Sequence, residues 1–111
     1  MSSFIKNRIK QLIKDSIKEN TDVKSNQYNI EEGNYQYPPS QDDEYIGEGK
    51  SYPCFFVDVE EISSEEGWSR GDLIKIARDI KKEILLYNDE HPTQIKVNSF
   101  VDMFDNIVIQ Y

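Results

Sequence analysis

Tyr52-Pro53-Cys54-Phe55-Phe56-Val57-Asp58-Val59 reads as a β-strand, and the rest of the chain is arranged around it. Phe55, Val57 and Val59 alternate with Phe56, Asp58 and Glu60, the two-residue period of a strand that buries one face along its length. Its other face is apolar only toward Cys54 and Phe56. Downstream, Glu60–Gly67 is acidic and reads as a loop leaving the sheet. Ser69-Arg70-Gly71-Asp72 then offers a capping box, Ser69 as N-cap and Asp72 three residues on. Arg70-Gly71-Asp72 also spells an integrin-type tripeptide, a coincidence at a helix start.

The helix opened by that box predicts a buried stripe of Leu73, Ile76, Ala77, Ile80, Ile84 and Tyr87, widened by Ile74 and Leu85, and an end at Asn88. Asp79 is expected on its outer face beside Lys82 and Glu83. After the His91-Pro92 break, Ile95, Val97, Ser99 and Val101 alternate with polar neighbours as a further strand. Asp105-Asn106 can turn the chain, since both residues tolerate positive φ. Ile107–Tyr111 makes the last strand, which must be paired, internally or by a neighbouring subunit, to avoid an open edge.

Upstream, Ile5, Ile9, Leu12, Ile13 and Ile17 recur at helical spacing, with Lys6, Arg8, Lys10, Lys14 and Lys18 on the flanks and outer face and a serine at the start to cap it. Residues 21–51 hold no sustained helical period and are broken by Gly33-Asn34, Pro38-Pro39 and two further glycines. They carry Tyr28, Tyr35, Tyr37 and Tyr45, too many rings for a plain linker, and read as an extended arm or an irregular hairpin whose rings lie against a partner or pack back on the same domain. The expected fold is therefore α+β in a single domain over 1–111. It has an N-terminal amphipathic helix over 1–20, an extended Tyr-rich acidic arm over 21–51, and a β-α-β-β core over 52–111 whose small antiparallel or mixed sheet packs on helices.

Charge divides along the same boundaries. Residues 1–24 carry a net of +3, residues 25–67 a net of −10 with Lys50 as their one base, and residues 68–111 a net of −1, making up the total of −8. Opposite-signed patches of this kind steer association and set register between surfaces. The acidic balance argues against nucleic-acid binding, which needs Lys and Arg to displace counterions. A carboxylate mimic of DNA is a minor alternative. The longest uninterrupted apolar run is Cys54–Val57, far short of the roughly 20 residues of a membrane span. Lysines and Arg8 break up the N-terminal region, so it does not read as a signal peptide.

Chemistry-bearing motifs are sparse. Cys54 is the single cysteine, in apolar company, and as a nucleophile it would need the single histidine, His91, beside it. Asp42-Asp43-Glu44 lacks the alternating ligands and distal Glu of a calcium loop and reads as a solvated charge run. No residue is nominated as catalytic, cofactor-binding or metal-ligating, and no cofactor is expected. The nominated contacts are with protein: Tyr28, Tyr35, Tyr37 and Tyr45 on the arm, with Asp42, Asp43 and Glu44 beside them. Lys6, Lys10 and Lys14 on a neighbouring subunit's helix are a conceivable acceptor for that acidic arm.

Tyr52–Val59, the second helix and Phe100–Tyr111, about half the chain, together resemble the small tail-terminator and head–tail joining proteins of long-tailed phages. The resemblance implies a non-enzymatic subunit of a homo-oligomer or multi-subunit assembly, placed inside a cell or within a virus particle. That family usually has a second strand before its second helix, where this chain has the Glu60–Gly67 loop. The alternative reading is an acidic inhibitor or regulator that occupies a basic site on a host enzyme.

Overall fold

Phe55 and Val57, 0% and 1% exposed, form the middle of the core, as their alternation requires. The computed structural model describes residues 3–36, 51–91 and 94–111. In chain order these form α1 (Ser3–Asn20), a 3-10 turn (Ser25–Gln27), β1 (Asn29–Gln36), β2 (Ser51–Asp58), α2 (Glu60–Glu66), α3 (Arg70–Glu90), β3 (Asn98–Val101) and β4 (Ile107–Gln110). The architecture is α+β, with one antiparallel sheet of order β1-β2-β4-β3.

Register assigns the two faces of the sheet. Ile30 faces Val57, Phe55 faces Ile109 and Ser99 faces Ile109 from the other side, so these residues share one face. On that face lie α1, through Ile9, Leu12, Ile13 and Ile17, and α3, through Leu73, Ile76, Ala77, Ile80 and Ile84. The Ser99 hydroxyl donates to the Ala77 carbonyl at 2.7 Å and pins β3 to α3. The helices are antiparallel: Arg8 near the start of α1 lies over the Tyr87 ring near the end of α3, at 5.4 Å. Cys54 and Val108 are fully buried yet belong to the opposite face, with Tyr35, Tyr52, Phe56 and Phe100 around them. There the Phe56 ring lies over Gly33, so close that a Cβ added to Gly33 would come within 3.0 Å of it. The rings of Tyr35 and Phe100, from the two edge strands, meet edge to face at 5.1 Å.

Several expectations are corrected. Asn29–Gln36, read as part of an extended arm, is a regular edge strand paired with β2 over all eight of its residues. Glu60–Glu66 is a helix, not a loop: Glu60 and Glu61 favour the positive N-terminal end of its dipole, and Gly67 ends it in the left-handed conformation at φ 67°. Ile74 and Leu85 do not widen the buried stripe of α3 but lie at 39% and 48% exposure. The helix runs past Asn88 to Glu90, because Asn88 binds the backbone of Ile95 through both its amide atoms and so faces inward. The strand before the last turn is shortened to Asn98–Val101. The final strand is covered internally, between β2 and β3.

The capping box stands as read, the Ser69 hydroxyl accepting from the Asp72 amide and the Asp72 carboxylate from the Ser69 amide at 2.8 Å. Phe55→Ala removes a ring that touches both layers, and should lower stability by about 3–5 kcal/mol in urea unfolding. Leu85→Ala, on the exposed side of α3, should stay within about 0.5 kcal/mol of the parent.

Candidate functional site

The nominated contact residues fall into three groups. Lys6 is turned toward the sheet and ion-pairs with Glu32 on β1. That bond holds the Lys6 ammonium above the usual lysine range and is the main cause of the Glu32 carboxyl lying below its own. The Lys10 ammonium lies 5.6 Å from the centre of the Phe55 ring. Both lysines therefore face their own sheet rather than outward. Tyr28 takes the second of the two placements open to the arm's rings and packs back into its own core at 7% exposure, β1 beginning immediately after it. Tyr35 sits on the second sheet face against Phe100. Tyr37, Asp42, Asp43, Glu44 and Tyr45 lie outside the described residues.

Lys14 is exposed, and the structure brings it together with Lys18 and Lys24. These three lysines line a groove of about 660 Å³ between the second half of α1 and the 3-10 turn. Val23 and Tyr28 also line it, both nearly buried. Burial, with the Asp15 carboxylate as a smaller cause, raises the Tyr28 phenol above its ordinary value. Asp15 and Asp22 are the acids of the groove, and Asp15 accepts a hydrogen bond from the Gln11 amide at 2.9 Å. The groove flanks β1, at one edge of the sheet.

At the other edge, the connection from β3 to β4 presents Met103 and Phe104 at 80% and 77% exposure, the most exposed large apolar groups among the described residues. The turn beneath them is tightly bonded. Asp102, 7% exposed, accepts through Oδ1 from the amides of Phe104 and Asn106, both at 2.9 Å, and through Oδ2 from the Asn106 side chain at 3.2 Å. Asp105 takes the positive φ of 61° that such a side chain tolerates. Arg70, at the start of α3, donates to the carbonyls of Asp102 and Val101 at 2.6 and 3.0 Å and to Asp105 Oδ1 at 2.7 Å. The guanidinium thus ties the turn to the helix whose capping box precedes it. Asp58, Glu60 and Asp105 share a recess with Phe104 and give this edge an acidic surround.

Sequence reasoning placed a turn at Asp105-Asn106 but missed its exposed apolar tip and the part played by Lys18 and Lys24. The available signal was an adjacent Met103-Phe104 pair inside a run of turn-forming Asp and Asn, where polar residues are the rule. Cys54 and His91 do not form the pair a thiol nucleophile needs. Cys54 is buried on the sheet face away from the helices, and burial raises its thiol above the usual range. The His91 ring instead stacks on Tyr87 at 4.0 Å, beyond the end of α3. Among the described residues no group of three or more His, Cys, Asp or Glu is placed to hold a metal ion, and no helix is long and apolar enough to cross a membrane.

No family model, curated protein or solved structure matches this chain.

One seam between the helices carries like charge. Glu83, expected on the outer face of α3, faces α1 instead; its carboxyl is raised above the usual range by burial first, then by Glu19 and Asp15. A carboxyl whose folded pKa is raised binds protons more tightly in the folded state. Stability therefore falls as pH rises from the unfolded pKa through the folded one, and the penalty is fully present above it. Glu83→Gln should raise the melting temperature at pH 7 and flatten this decline between acid and neutral pH in thermal melts.

Proposed function

We propose that this protein is a non-enzymatic assembly subunit that works by docking onto other protein subunits, copies of itself foremost. One observation carries the reading. In a chain with only 37% hydrophobic residues, the described residues leave, besides the lone Ile74, two groups of large apolar side chains exposed: Met103 and Phe104 at the β3–β4 turn, and Phe4, Leu85 and Leu86 toward the start of α1 and the second half of α3. Scattered exposed apolar residues are ordinary, but grouped ones mark interaction surfaces. Two groups at a distance suit a subunit with several neighbours better than an inhibitor with a single target. The division of charge into basic and acidic stretches supports the same reading, because it orients neighbours as they meet.

The resemblance to phage tail-terminator and head–tail joining proteins supplies the kind of assembly, a particle joint built from repeated subunits. Between β2 and α3, where that family usually has a strand, this chain has α2. The resemblance therefore rests on β2, α3 and the C-terminal hairpin.

Native mass measurement across protein concentration and ionic strength tests the reading. A subunit of a homomeric assembly should give species larger than a monomer whose population shifts with salt. A strict monomer at low salt and high concentration would rule out the homomeric version. Stoichiometric capture of one host enzyme in its place would favour the inhibitor.

A further inference from the structure

We propose that Met103 and Phe104 of one copy seat in the Lys14–Lys18–Lys24 groove of a second copy, a head-to-tail contact that can repeat. The inference rests on the reading of the chain as an assembly subunit and identifies the two surfaces that meet. The two surfaces are chemically complementary. The apolar tip is surrounded by Asp58, Glu60 and Asp105, and the one base in that recess, Arg70, is already held by Asp105 and two backbone carbonyls. The groove offers the reverse arrangement. Among the described residues the ammonium groups of Lys14, Lys18 and Lys24 make no hydrogen bond or ion pair, and they outnumber the carboxylates of Asp15 and Asp22. Val23, Tyr28 and the lysine stems supply apolar wall for two inserted side chains.

The groove adjoins the start of β1 and the tip follows the end of β3, on different edge strands of the order β1-β2-β4-β3 but at the same end of the sheet. A contact between two different patches that the same partner does not return is heterologous, and each copy that joins leaves one tip and one groove for the next. The tip is also preorganised. The Asp102 and Arg70 hydrogen bonds hold the tip in one conformation, so little freedom remains to be lost on binding. Copies that each carry −8 repel at a distance, and a basic groove facing an acidic tip is the orientation in which they attract.

Complementation between two defective chains gives the test. Met103→Ser with Phe104→Ser removes the tip and keeps the groove; Lys14→Glu, Lys18→Glu and Lys24→Glu remove the groove and keep the tip. All five side chains are exposed, and circular dichroism melts verify that each variant folds. In sedimentation velocity the parent should form species beyond the dimer, each variant alone should remain monomeric, and their equimolar mixture should stop at the dimer. Phe104→Ala alone should raise the concentration for half-association by about tenfold or more, as expected of a central aromatic anchor. The inference is overturned if the tip variant associates like the parent, or if the mixture grows past the dimer; the assembly reading survives either result. A parent that stays monomeric throughout overturns the homomeric reading and this contact together.

Discussion

β2 is hydrogen-bonded on both sides, and every other element of the structure depends on that position. Its Phe55 and Val57 must be covered from one direction, and its backbone must be matched by β1 on one flank and β4 on the other. The second requirement recruits β4. Residues 107–110, from the far end of the chain, pair beside a strand near its middle, and the Tyr111 ring comes to 4.9 Å from that of Phe55. Pro53 lacks an amide donor, and it stands just past Cys54↔Gln110, the last residue pair of the β2–β4 ladder. The first requirement brings α1 and α3 onto a single face in antiparallel contact. Burial of their facing apolar stripes, rather than helix propensity, holds them there.

Charge is then distributed by what that packing leaves outside. Lys6 and Lys10 are drawn down to the sheet, one to Glu32 and one to Phe55, and no longer serve the outer face. The helix seam instead holds Asp15, Glu19 and Glu83 near one another, a local repulsion tolerated because the apolar stripes on both sides of it are continuous. Alongside, the Arg8 guanidinium lies between the Phe4 and Tyr87 rings, 5.8 and 5.4 Å from their centres. Rings serve there as its acceptors, while its buried Nε finds no hydrogen-bond partner among the described residues. The result is a body with a basic groove near one sheet edge and an acidic, apolar-tipped turn at the other.

The helices, the β2 pattern and the Ser69 cap were legible in sequence because each is a local periodic or short-range signal. Ile9, Leu12, Ile13 and Ile17 are all buried as their spacing required. β1 was not legible. Its sequence Asn29–Gln36 alternates weakly, carries two glutamates and a glycine, and pairs only because β2 supplies a partner; Phe56, lying over Gly33, fills the space that glycine leaves. α2 was hidden for a related reason: its one buried side chain is Ile62, so seven residues of helix show no stripe and read as an acidic loop. The candidate site was legible only in part. Lys14 was singled out on the helix, but its company in the groove depends on where the 3-10 turn returns after Asn20, a tertiary fact with no local mark.

The β3–β4 turn shows how such tertiary facts can make a surface feature specific. The Arg70–Asp105 ion pair joins side chains 48% and 59% exposed, and a pair of that kind contributes little by itself. The same guanidinium also binds the carbonyls of Val101 and Asp102, and those bonds fix where the turn leaves the sheet. Asp102 is buried and accepts three hydrogen bonds, an arrangement that is disrupted as a whole when one partner leaves. Met103 and Phe104, 80% and 77% exposed, contribute almost nothing to the core. A network that orders apolar groups without burying them gains the chain no hydrophobic stabilisation in isolation. Its hydrophobic gain comes only when another surface removes those groups from water, as in the contact proposed between copies.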